Sequence, residues 1–161
     1  DMGTHVPLVA SWPGKSPTGV MSDDLVDFTD IYPTLADAAG VARGEGDPFD
    51  GRSILPQLRG QTGYPRDWVF LHYQPYWGAQ PGQFARTQNY KLYRDGGFFH
   101  VPDDLEELKD LDRDSLSADA VSRKDVLQKV LSNSPPAPTE PGSRTTIERP
   151  LYAEWPELDA K

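Results

Sequence analysis

Residues Val26 to Val41, VDFTDIYPTLADAAGV, carry the signals of a short helix closed at both ends. Asp30 is placed to act as N-cap, its carboxylate accepting from the unsatisfied N–H groups of the first turn. Pro33 falls in that first turn, where its missing donor costs nothing. Ile31, Leu35, Ala38 and Ala39 recur at helical spacing and predict one apolar face. Gly40 follows in the position that favours a left-handed residue. Taken alone, this is an amphipathic helix that names no function.

On the N-terminal side, residues 6–12, VPLVASW, are a short apolar run with β-branched valines and predict a buried strand, ended by Pro13-Gly14. The acidic run Asp23, Asp24, Asp27, Asp30 lacks the Gly and closing Glu of a calcium-binding helix–loop–helix, so a solvated loop and a helix cap are expected there. On the C-terminal side, Ser53 is a cap for a second short helix with Pro56 in its first turn, Leu55 and Leu58 facing inward and Gly60 closing it. DWVFLHY, residues 67–73, predicts a strand. Residues 74–82 form a loop with aromatics. Residues 83–94 predict a second strand broken at Gln88-Asn89, and Asp95-Gly96-Gly97 is a hairpin signal leading to a third strand over 98–101. Ser117 to Leu131 has the spacing of an amphipathic helix capped by Ser117. The expected fold is α/β: a small antiparallel sheet of three or four strands with a packed helix, preceded by a strand and two helices belonging to a larger α/β sandwich. Three parts are expected: residues 1–62 from a large domain, 63–132 as a small subdomain, and 133–161 as a Pro-rich extended tail.

Composition narrows the partners. The 161 residues carry a formal net charge of -9, which argues against nucleic acid and against an anionic membrane surface. No run is apolar enough to span a bilayer. With no cysteine, neither a disulfide nor a thiolate metal site can form. The chain lacks an initiator Met and a signal peptide, so the expectation is that Asp1 lies within a longer protein.

Four motifs in order carry a resemblance. DIYPTLADAAGV resembles the "D-x-x-P-T-L-x-x-x-A-G" segment of the formylglycine-dependent sulfatases of the alkaline-phosphatase superfamily. Gly3-Thr4-His5-Val6-Pro7-Leu8 with Trp12-Pro13-Gly14 is similar to that family's "G-x-R/H-V-P-x-I-x-x-W-P-G". Asp50-Gly51-Arg52-Ser53-Ile54-Leu55-Pro56-Gln57-Leu58 is similar to its "D-G-x-S-L-x-P-x-L". Phe84 to Leu92, FARTQNYKL, is similar to its "A-I-R-x-G-x-Y-K-L". The charged segment 103–114 departs from the family pattern.

The resemblance implies hydrolysis of sulfate esters, of a sulfated carbohydrate or an aryl sulfate, by a formylglycine nucleophile with calcium. The pentapeptide "C/S-x-P-S/A-R" that yields formylglycine is not in this sequence. Nucleophile and calcium ligands are therefore expected upstream of residue 1, in a missing N-terminal catalytic part. No catalytic residue, metal ligand or cofactor is expected in this chain, which alone should be inactive. The residues expected to touch substrate are His72, Tyr76 and Trp77, in and after the first strand of the small sheet, with Arg86 from the "R…Y-K-L" signature and His5 near the rim. Packing against the large domain is the competing account for the aromatics, and an exposed loop position for His5. Alternation along a regular strand would put Arg86 and Lys91 on opposite faces. Lys91 and Arg94 are expected to pair with the acidic 103–114 segment. Other readings are a phosphodiesterase or phosphonate monoester hydrolase of the same superfamily, and a non-catalytic carbohydrate-binding or packing module. A periplasmic or secreted location follows only from the resemblance. Val6, Leu8, Val9 and Trp12, cut from their partner, are expected to drive self-association.

Overall fold

Two short helical segments lead into a four-stranded antiparallel meander with one long helix on its face, in a computed structural model that describes residues 4–41, 50–73, 82–111 and 115–135. A 3-10 turn, Phe28–Asp30, runs into α1, Ile31–Ala39, and α2 is the single turn Leu55–Leu58. The strands β1, Val69–Tyr73, β2, Gly82–Arg86, β3, Tyr90–Tyr93, and β4, Phe98–His100, lie in sequence order across the sheet. Helix α3, Ala118–Asn133, follows, and the Ser117 hydroxyl accepts from the Ala120 amide at 3.1 Å, as its sequence predicts.

The core lies between α3 and one face of the sheet. Ala85, Tyr90, Leu92 and Phe98 from the strands meet Ala120, Leu127, Val130 and Leu131 from the helix, with Trp68 and Phe70 packed at the side. Leu92, Phe98 and Leu127 are wholly buried, and each Leu or Phe so placed contributes about 2 kcal/mol relative to exposure. Tyr90 stacks on Phe98 with 5.5 Å between ring centroids. The break expected at Gln88-Asn89 is a tight hairpin turn, closed by Thr87 N–H donating to the Tyr90 carbonyl at 2.8 Å. That turn pairs Arg86 with Lys91 across β2 and β3, so the two cations share a face. Opposite faces would have needed one continuous strand.

The N-terminal run departs from its expected form. Residues 6–12 form no strand, and Val9 is 88% exposed. A strand needs a neighbour for its backbone groups, and none of the described strands lies beside it. Helix α1 also turns differently. Pro33 and Thr34 are its buried residues, whereas Leu35 is exposed along with Tyr32 and the preceding Phe28. Gly40 ends the helix at φ +70, as expected.

Asp30 stands at the N-cap position of α1, but its carboxylate makes no cap bond to that helix, because other donors take it. Asp27 caps the 3-10 turn, accepting from the Thr29 amide at 2.8 Å. The Asp30 carboxylate accepts from the Asp27 amide at 2.9 Å, the Arg52 amide at 2.7 Å and Arg66 Nε at 2.7 Å, with a second bond from Arg66 Nη2. It is fully buried and ties three chain segments together. Gly51 makes this possible: a Cβ there would stand 1.8 Å from the Thr29 carbonyl oxygen. The Asp-Gly-Arg-Ser motif thus has a packing reason for its glycine.

Candidate functional site

The register of the sheet sorts the candidate side chains. Val69 pairs with Arg86 and His72 with Gln83, so His72 and Gln83 share the α3 face while Arg86 lies on the other. The sheet itself therefore separates His72 from Arg86. His5 is exposed in the N-terminal segment. Tyr76 and Trp77 fall outside the described residues.

His72 projects from an edge strand and is exposed. Its Nδ1 lies 2.8 Å from Nε2 of Gln83, and that same Nε2 donates to the Pro135 carbonyl at 2.9 Å. Gln83 is buried, and its Oε1 has no hydrogen-bond partner. Arg94 anchors the same corner. Its Nη2 donates to the carbonyls of Leu131 at 2.8 Å and of Ser134 and Pro135 at 3.3 Å. These carbonyls lie at and just beyond the C-terminus of α3, where a cation is favoured. The acidic pairing expected for Arg94 is replaced by this helix-end contact, because the hairpin turn aims Arg94 at α3.

The opposite face holds a buried polar cluster. Lys91 Nζ bonds Glu107 Oε1 at 2.7 Å, the pairing expected of it, and lies 4.0 Å from the Phe84 ring centroid and 4.8 Å from that of Tyr93. Tyr93 donates its hydroxyl to the other Glu107 oxygen. Glu107 sits at φ +57, a left-handed conformation that a glutamate adopts only at a cost. Burial pushes the Lys91 ammonium pKa down, and Glu107 only partly restores it. Burial raises and then Lys91 and Tyr93 more strongly lower the Glu107 carboxyl. The Tyr93 phenol is pushed well up by burial and by the glutamate beside it. Arg86, also buried, donates from Nε to the Thr87 carbonyl at 3.1 Å and from Nη2 to that of Gln88 at 3.2 Å. Burial lowers its pKa, against the pull of Glu107.

Among the described residues no group of three or more His, Cys, Asp or Glu could hold a metal ion. Two carboxylates of the acidic run are committed elsewhere: Asp27 caps and Asp30 binds Arg66. The calcium implied by the resemblance does not fit the residues described. No described helix is long and apolar enough to cross a membrane. Gln83, Glu107 and Pro135 were not legible as site residues in the sequence. A glutamine at an inward strand position is the one signal that could have pointed to Gln83.

A helix-backed antiparallel meander, led by two short helices pinned through a buried carboxylate, is α/β architecture with polar groups on both faces of its sheet. The chain belongs to the N-sulphoglucosamine sulphohydrolase C-terminal family, whose model matches residues 1–134. Arylsulfatase G of Canis lupus familiaris is 32% identical over 157 residues, covering 80% of this chain and 28% of that protein. Arylsulfatase G of Homo sapiens is 35% identical over 97 residues, 60% of this chain and 18% of that one. An ulvan-active sulfatase of Formosa agariphila is 37% identical over 70 residues, 44% of this chain and 14% of its own length. Among solved structures, a 2-O GAG sulfatase superposes with a TM-score of 0.49 at 26% identity, covering 63% of this chain and 23% of that one. The chain thus spans 18% to 28% of the length of the two arylsulfatase G proteins.

Proposed function

We propose that this chain is the C-terminal part of a sulfuric-ester hydrolase and supplies part of its substrate-cleft wall. The formylglycine nucleophile and calcium site stand in an N-terminal part of the same protein, upstream of residue 1. The substrate is a sulfated carbohydrate or an aryl sulfate. The observation that carries the reading is the family match over residues 1–134. His72 is the leading contact, because it is exposed on an edge strand with its ring held from behind by Gln83. Tyr76 and Trp77, next in the chain, offer aromatic faces suited to a sugar ring or an aryl group. Arg86 acts from the other face of the sheet, and His5 from the N-terminal segment.

The exposed apolar residues fit the same reading. Phe28, Tyr32 and Leu35 recur at helical spacing, and Val6, Leu8 and Val9 lie along the N-terminal run. These surfaces pack on the N-terminal part, and in its absence they bring copies of the chain together.

The full-length protein is expected to hydrolyse para-nitrophenyl sulfate, while residues 1–161 alone do not. Turnover of phosphodiesters or phosphonate monoesters in preference to sulfate esters would overturn the assignment of reaction. Sulfate-ester turnover by the 161-residue chain alone would overturn the division of labour.

A further inference from the structure

The side chain of Gln83 can be oriented from its neighbours alone. One end of its amide lies 2.9 Å from the Pro135 carbonyl oxygen and 2.8 Å from Nδ1 of His72. A carbonyl oxygen only accepts, so the end facing Pro135 is the NH2 group. Turning the amide over would set two oxygens against each other. The NH2 has two hydrogens, and the second points at His72. Nδ1 must therefore accept. A neutral imidazole that accepts at Nδ1 carries its hydrogen on Nε2.

We propose that Gln83 is a positioning residue that holds His72 in the Nε2–H form, making this cleft-wall histidine a hydrogen-bond donor toward an oxygen of the sulfate ester or of a sugar hydroxyl. The inference deepens the reading of His72 as part of the cleft wall and rests on it. Three observations converge. His72 and Gln83 are direct cross-strand partners, so the pairing is built into the register. Pro135, at the exit of α3, supplies an acceptor that cannot change its role, and Arg94 holds that same carbonyl at 3.3 Å. Gln83 keeps this orientation although its Oε1 is left buried without a partner. An apolar side chain would pack there without that orphan. A second histidine supplies the contrast. His100 Nδ1 lies 2.8 Å from Asp103 Oδ2, and a carboxylate accepts, so His100 carries its hydrogen on Nδ1.

The test is a long-range 15N–1H correlation spectrum of the histidine rings at a pH of about 8.5, where imidazoles are neutral. The chain has three histidines, so substitution of each assigns the signals. His72 is expected to show a bare Nδ1 and a protonated Nε2, and His100 the reverse. A protonated Nδ1 on His72 overturns the proposal. Gln83→Met should return His72 toward a mixture of the two forms, and an unchanged tautomer would remove Gln83 from the role. The unsubstituted spectrum decides the tautomer even if that variant fails to fold. In the full-length protein with para-nitrophenyl sulfate, His72→Ala should raise KM about tenfold with a smaller change in kcat. An unchanged KM would remove His72 from the cleft while leaving its tautomer as assigned, so the two failures are distinguishable.

Discussion

Replacing Asp30 by Ala removes the acceptor for four hydrogen bonds at once, from the amides of Asp27 and Arg52 and two from Arg66. Bonds to a charged group contribute about 1.5–3 kcal/mol each, but they share one carboxylate and do not add. A better measure is the cost of breaking a buried ion pair from one side, about 3–5 kcal/mol. Both partners qualify, since the Asp30 side chain is 0% and that of Arg66 8% exposed. In a chain of this size that lowers Tm by roughly 6–20 °C. Urea melts followed by circular dichroism would measure it, with Arg66→Met and the double variant completing a cycle. A coupling of about 1–3 kcal/mol is expected. Single costs under about 0.5 kcal/mol, or strict additivity, would refute the reasoning. The pH dependence gives a second check. Burial raises the Asp30 carboxyl, but the bonds from Arg66, Arg52 and Asp27 outweigh it and hold the pKa below its ordinary 3.8. A depressed folded pKa stabilises fully above the unfolded value and is lost as pH falls through the folded one. The gap between Asp30→Ala and the parent chain should therefore narrow below about pH 4.

Gly51→Ala forces a methyl to within 1.8 Å of the Thr29 carbonyl oxygen and should cost about 3 kcal/mol or more, with loss of hydrogen-exchange protection at the Arg52 amide. Full protection of that amide would count against the close approach. Leu127→Ala opens a hole between α3 and the sheet and should cost about 2–5 kcal/mol in a denaturant melt. Glu107→Gln leaves Lys91 buried without its counter-charge. It should destabilise by about 3 kcal/mol and lower the Lys91 pKa further, which an NMR titration of Nζ would follow. Phe28→Ser with Leu35→Ser should shift the chain toward monomer in sedimentation, and no shift would detach these residues from any association surface.

Local elements with strong chemical signals were legible. Ser117 caps α3, Gly40 ends α1 and Asp95-Gly96-Gly97 turns β3 into β4, because each depends on neighbours only a few residues away. The pairing expected between Lys91 and the acidic 103–114 segment is the one observed, with Glu107, whereas Arg94 goes to the end of α3 instead. The run over 6–12 forms no strand here, and its valines are exposed. Composition reports the tendency to be buried, but a strand also needs a partner, and the partner is not among the described strands.

By itself the sequence determined the family and the order of the elements of the small sheet and its helix, because motif and periodicity are properties of neighbouring positions. Tertiary structure alone decided how distant groups meet. It made Asp30 a tie between Asp27, Arg52 and Arg66, put His72 and Arg86 on opposite faces of one sheet, and set the Gln83 amide between His72 and Pro135. Register settles the strand placements, since a slip of one residue would turn every strand side chain to the other face.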